Sequence, residues 1–142
     1  RLTQFGQWIL YRRMLGLFVF FYASVHLLIY LGLDYQFAWT DIQDDILKHK
    51  YVLVGFLAWL LLIPLALTST NTMIKKLKKR WKSLHQLIYL VAVLAILHFF
   101  WLVKKDLTEP IIYGSILATL LLIRVYYFAK NKQSKNKKNN EN

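Results

Sequence analysis

Four nearly unbroken apolar runs, Met14 to Leu33, Tyr51 to Leu67, Leu84 to Val103 and Pro110 to Ala129, restrict what this chain can fold into. Each approaches the roughly 20 residues that an α-helix, rising about 1.5 Å per residue, needs to cross a hydrocarbon core about 30 Å thick. Barrel strands would show runs of about ten residues with dyad alternation, and no such pattern is present. Helices also satisfy their own backbone polar groups in lipid. The predicted fold class is all-α, a polytopic transmembrane helix bundle with four spans. Residues 1–129 form one membrane domain, and 130–142 form a polar, basic, low-complexity tail expected to be disordered and held near anionic lipid.

Charge placement decides the partner. A net charge of +12 suits either nucleic acid or a lipid surface. Here the basic residues flank apolar runs and no nucleic-acid module is visible, so the expected partner is the bilayer. Lys/Arg bias marks the cytoplasmic side of short loops. Arg1, Arg12 and Arg13 precede the first run, and Lys75, Lys76, Lys78, Lys79, Arg80 and Lys82 precede the third. Between them Asp34, Asp41, Asp44 and Asp45 offset Lys48 and Lys50. Lys104, Lys105, Asp106 and Glu109 make a second, balanced outer loop, and Lys130 to Lys138 return to a basic end. Both ends of the chain are therefore expected on the cytoplasmic side of the membrane. The segment from Asp34 to Lys50 fits equally a solvated loop or a short interfacial helix, with Ile42, Ile46 and Leu47 at helical spacing. Pro64 removes a hydrogen bond from the second span and predicts a kink. Trp8, Trp39, Trp81, Trp101, Tyr51 and Tyr113 stand mostly near span ends, as interfacial anchors do.

The chain has no cysteine, which removes disulfides, iron–sulfur clusters and thiol nucleophiles and leaves histidine as the metal ligand. Ionisable groups in lipid cost free energy and mark candidate sites. His26 lies 12 residues beyond Met14 and His98 lies 15 beyond Ser83. At about 1.5 Å per residue these become depths of about 18 and 22 Å from the inner ends of two helices running the same way. Either histidine alone is as well explained by a hydrogen bond to a helix carbonyl or to a hydroxyl such as Ser24. Two at matched depth favour ligation of one iron from opposite faces, and two axial imidazoles suit electron transfer through b-type haem. His85, near the inner start of the third span, is a candidate for a second haem. Its 13-residue separation from His98 turns an ideal helix by about 220°, so the two rings would not project alike. His49 sits among loop lysines and is expected to be solvated. Arg124, near the inner end of the last span, reads as a snorkelling side chain.

Nothing in the chain reads as a catalytic motif: there is no Walker A, GxGxxG, HExxH or GxSxG pattern, and every Asp and Glu lies outside the spans. Ion-coupled transport lacks its usual carboxylates. A non-redox transporter or structural membrane subunit, with histidines as interhelical hydrogen-bonders, is the alternative from a different class.

Five motifs in order, RRMLGL at Arg12 to Leu17, HLLIYLGLD at His26 to Asp34, PLALTSTN at Pro64 to Asn71, RWKSLHQLIYL at Arg80 to Leu90 and LHFFWLV at Leu97 to Val103, carry a family resemblance. The chain resembles the haem-binding membrane subunits of bacterial periplasmic methionine sulfoxide reductase systems, within the ferric-reductase-like transmembrane family. The resemblance implies six helices, of which this chain carries the last four. It also implies a non-catalytic electron-transfer subunit of an oxidoreductase. Electrons would pass from the quinone pool or a flavin donor through haem b to a periplasmic molybdenum-containing partner that repairs oxidised methionines. Flavin mononucleotide (FMN) is associated with the family, although no flavin motif is visible here. Carried over by position, His26 and His98 match the central haem ligands and His85 a third family histidine. The fourth position of more distant relatives falls near Arg12, so a conventional second haem lacks its partner. KHKYVLVG stands where an Arg-Pro pair is expected before the tyrosine. A b-type cytochrome subunit of another membrane oxidoreductase is the alternative within redox chemistry.

Overall fold

A computed structural model describes the backbone of residues 2–103 and 105–140, and the side chains of 10–103, 105–130 and 133. Arg1, Lys104 and the side chain of Trp8, all used in the reading of topology, lie outside the described residues, as do most side chains of the tail. The described backbone is helical, with no strand: α1 (Leu2–Ile29), a π-helical turn (Tyr30–Asp34), α2 (Trp39–Lys48), α3 (Lys50–Leu67), α4 (Asn71–Leu77), α5 (Lys79–Leu84), α6 (Leu87–Leu102) and α7 (Thr108–Asn140). Four segments are long and apolar enough to cross a membrane: Leu10–Asp34, Lys50–Leu67, Lys79–Leu102 and Thr108–Lys130.

The chain divides into two compact units, Arg1–Leu102 and Val103–Asn142. In the first, α3 packs chiefly against α6 and also against α1 and α2. Ala58 and Leu62 of α3 and Val91 of α6 form the core, with Phe20, Ala23, Leu61, Ile88 and Leu94 around it. That core is small because α1, α3 and α6 are apolar all round, with side chains such as Phe18, Tyr22 and Leu53 facing outward. In lipid such faces need no protein cover, and helix association rests on close packing and interhelical hydrogen bonds. One such bond joins α1 to α3: Trp59 Nε1 donates to Ser24 Oγ at 3.0 Å, and Ser24 Oγ donates to the Phe20 carbonyl at 2.8 Å. Ser24 thus serves a tryptophan and not a histidine.

Beyond α1 the π-helical turn ends in a tight reversal. Phe37 N–H donates to the Leu31 carbonyl, and Gln36 and Phe37 take positive φ of 47° and 60°. This seven-residue closure ends the helix, and it sends α2 back towards α3. The segment left open between loop and helix is helical, and Ile42 is its buried anchor at 4% exposure. Pro64 sits inside α3, and Thr68 Oγ1 donates to its carbonyl at 2.6 Å while Ser69 Oγ donates to Leu65 O at 2.7 Å. The third span is not continuous. A turn at His85 and Gln86 separates α5 from α6, so the run expected from Leu84 to Val103 has its regular helix at Leu87–Leu102.

In the second unit, α7 runs without interruption through the fourth apolar run and on to Asn140. The backbone from Lys130 to Asn140 is helical where a disordered tail is expected. Extending an existing helix adds a hydrogen bond per residue without a new nucleation cost, and Lys and Gln are good helix formers.

Removing the α1–α3 hydrogen bond should be measurable. Ser24→Ala is expected to cost about 0.6–1.7 kcal/mol, the range for interhelical bonds in membranes. A double-mutant cycle with Trp59→Phe in detergent unfolding should recover that energy as coupling between the two sites.

Candidate functional site

An apolar cavity of about 980 Å³ opens between α1, α2, α3 and α6, with His26, His98, Gly55, Trp59 and Tyr51 in its lining. The sequence spaces His26 and His98 far apart, yet their ring centroids stand 6.4 Å from each other at an interplanar angle of 77°. The two histidines expected at similar depth are thus neighbours, with their rings meeting edge to face. An imidazole–metal–imidazole stack with metal–nitrogen bonds of about 2.0 Å puts ring centroids roughly 6 Å apart, so the spacing fits a shared metal. A volume near the upper end of the roughly 300–1,000 Å³ typical of ligand pockets fits a large, mostly apolar cofactor around it.

His98 is held from behind. Its Nδ1–H donates to the Tyr51 carbonyl at 2.7 Å, which leaves Nε2 as the nitrogen with a free lone pair. The bond to a helix carbonyl that would explain a lone intramembrane histidine is thus present for His98 and occupies only one nitrogen. Among the described residues the His26 ring has no hydrogen-bond partner.

His85 lies apart from this cavity, in the turn between α5 and α6. Its ring stacks on Trp81 at a centroid distance of 4.0 Å, Nδ1–H donates to the Trp81 carbonyl at 3.1 Å, and Nε2 makes only a long 3.5 Å contact with Ser69 Oγ. Trp81 in turn donates from Nε1 to the Thr68 carbonyl at 2.9 Å, so it ties α5 to the end of α3 as well as standing near a span end. Among the described residues no three His, Asp or Glu side chains converge on one point, so the paired site has two protein donors of that kind.

The rim beside α2 contains groups that the sequence did not single out. Tyr30 Oη donates to Asp45 Oδ2 at 2.7 Å, and His49 Nδ1–H donates to Asp45 Oδ1 at 2.7 Å. The His49 ring also lies 5.3 Å from that of Tyr51. His49 is thus half exposed but not idle: it joins the end of α2 to the start of α3. Burial pushes the Asp45 carboxyl up, but hydrogen bonds from Tyr30, Tyr35 and His49 outweigh it and hold the group below its ordinary value of 3.8. The signal for this cluster is weak in sequence, because a short tyrosine- and aspartate-containing loop has no periodicity.

Together these features define a polytopic helical membrane protein with an intramembrane paired-histidine centre. Residues 1–96 match the model of the ferric reductase like transmembrane component, and the chain belongs to that family. Over 116 residues it is 58% identical to a protein of Xanthomonas euvesicatoria pv. vesicatoria described as the protein-methionine-sulfoxide reductase heme-binding subunit MsrQ, covering 82% of this chain and 53% of the relative. A protein of Herminiimonas arsenicoxydans with the same description is 50% identical over 139 residues, covering 96% of this chain and 63% of the relative. The chain spans about half the length of several curated relatives it matches, 53% for the Xanthomonas protein. No solved structure matches it.

The rim should respond to acid. Because folding lowers the Asp45 pKa, its contribution is present above the ordinary carboxyl value of 3.8 and is lost as pH falls through the depressed folded value. Amide exchange in α2 is expected to rise below about pH 4, and Asp45→Asn should show the faster exchange already at neutral pH.

Proposed function

We propose that this chain is an electron-transfer subunit that holds b-type haem between His26 and His98 and serves a methionine sulfoxide reductase. The observation that carries the reading is the pair of neighbouring rings, 6.4 Å apart, in an apolar cavity on three packed helices. The description of the relatives as heme-binding subunits of such a reductase supports it. Haem, when bound, would supply a one-electron carrier, and His26 and His98 are the residues that would hold it. The chain's own part is to fix two imidazoles, to exclude water with apolar walls such as Trp59 and Leu62, and thereby to set the potential.

In this reading the quinone pool or a flavin donates at the basic end that carries Lys75 to Lys82. A periplasmic molybdenum-containing subunit accepts beyond α2, and both ends of the chain face the cytoplasm of a bacterial inner membrane. No residue is assigned to FMN. His85 stands outside the pair; ligation of a second haem there would replace its long contact with Ser69.

The deciding experiment is a reduced-minus-oxidised spectrum with haem quantified per chain on the complete gene product. A Soret band with sharpened α and β bands is expected on dithionite reduction, and a colourless haem-supplied preparation would overturn the reading. His26→Ala and His98→Ala should each abolish the central haem, whereas His85→Ala should leave it in place. Because the sequence has no native cysteine, single cysteines give a clean topology test. A cysteine at Asp44 should react with an impermeant reagent in the periplasm, and one at Lys76 only after the membrane is opened.

A further inference from the structure

We propose that Gly55 and the backbone carbonyl of Tyr51 form a notch in α3 that positions His98, so that Gly55 is a positioning residue of the haem site; this rests on the reading above. A helical side chain leans towards the N-terminus over the preceding turn, so a residue at position 55 would cover the carbonyl four positions earlier. Glycine leaves that carbonyl open. The His98 ring occupies the opening, with Nδ1 at 2.7 Å from the Tyr51 oxygen. A Cβ on residue 55 would lie 2.7 Å from His98 Nδ1, 2.8 Å from Cε1 and 3.4 Å from Cγ. The first two distances are shorter than real carbon contacts allow, and the atoms that must yield belong to the ring itself.

Glycine is otherwise a poor choice inside a helix, and Gly55 has no positive φ to justify it. Gly16 of α1, another helical glycine, has nothing within 4 Å of a Cβ. The notch therefore accounts for the residue by the ring it admits. The bond fixes the tautomer of His98 and orients the ring. Among the described residues the His26 ring has no such support, so the two ligands are unequal: His98 is anchored and His26 is adjustable.

The test uses the full-length, haem-supplied protein in three forms: unsubstituted, Gly55→Ala and Gly16→Ala. Alanine favours helix at both positions, so a general loss of folding would not single out residue 55. Gly55→Ala is expected to lower haem affinity roughly 10–100-fold, the usual effect of losing a ligand's supporting contact. Its residual haem should lose the low-spin ferric resonance of two axial imidazoles, and Gly16→Ala should match the unsubstituted protein. Wild-type affinity and resonance in Gly55→Ala would overturn the proposal while leaving haem binding intact. A colourless unsubstituted protein would overturn both. Should Gly55→Ala fail to accumulate, the unsubstituted protein decides alone. In the reduced, nitrogen-15-histidine-labelled form, the Nδ1 proton of His98 should exchange with water more slowly than that of His26. Equal exchange at the two rings would overturn the proposal.

Discussion

Hydrocarbon offers no hydrogen bonds, so every polar group placed within it must find its partner inside the chain. That constraint accounts for most of the side-chain bonds within the spans. Trp59 reaches Ser24, Ser24 returns to the Phe20 carbonyl, Thr68 and Ser69 fold back on the last turn of α3, and His98 takes the Tyr51 carbonyl. All but the bond from Ser24 to Phe20 also cross between helices or end one, so polar satisfaction and helix placement largely coincide. With only Ala58, Leu62 and Val91 at its centre, the packed core is too small to fix the geometry unaided.

The consequence for the site is that α3 acts as its frame. It contributes no ligand, yet it packs against the helices that carry both histidines. From its own sequence it supplies the carbonyl, the glycine and the tryptophan that set where the two neighbouring helices stand. At its start it meets α2 through His49, whose bond to Asp45 closes the rim beside Tyr30. A paired-imidazole centre is thus built from two donors and a third helix whose role is spatial.

Much of this was legible in the sequence. The four spans follow from apolar length, and a rise of about 1.5 Å per residue puts His26 and His98 at similar depth, consistent with rings 6.4 Å apart. The end of α3 at Leu67 was legible too, because the apolar run stops there. Three features were not. The turn at His85 breaks an apolar run that has no proline or glycine to announce it. The link from Tyr30 to Asp45 depends on a reversal at Gln36 and Phe37, residues without a common preference for positive φ. Gly55 is a lone glycine in VLVGF, and only the position of His98, supplied by another helix, shows what it is for.

The histidines of the pair belong to helices separated by the whole of α2 to α5. During synthesis α1 is complete long before α6 exists, and α3 enters between them. The centre therefore cannot be present in any nascent chain shorter than residue 98, and until then His26 borders a half-built wall. The meeting of the two rings is in this sense a late event in the life of the polypeptide, set by the order in which the chain is made.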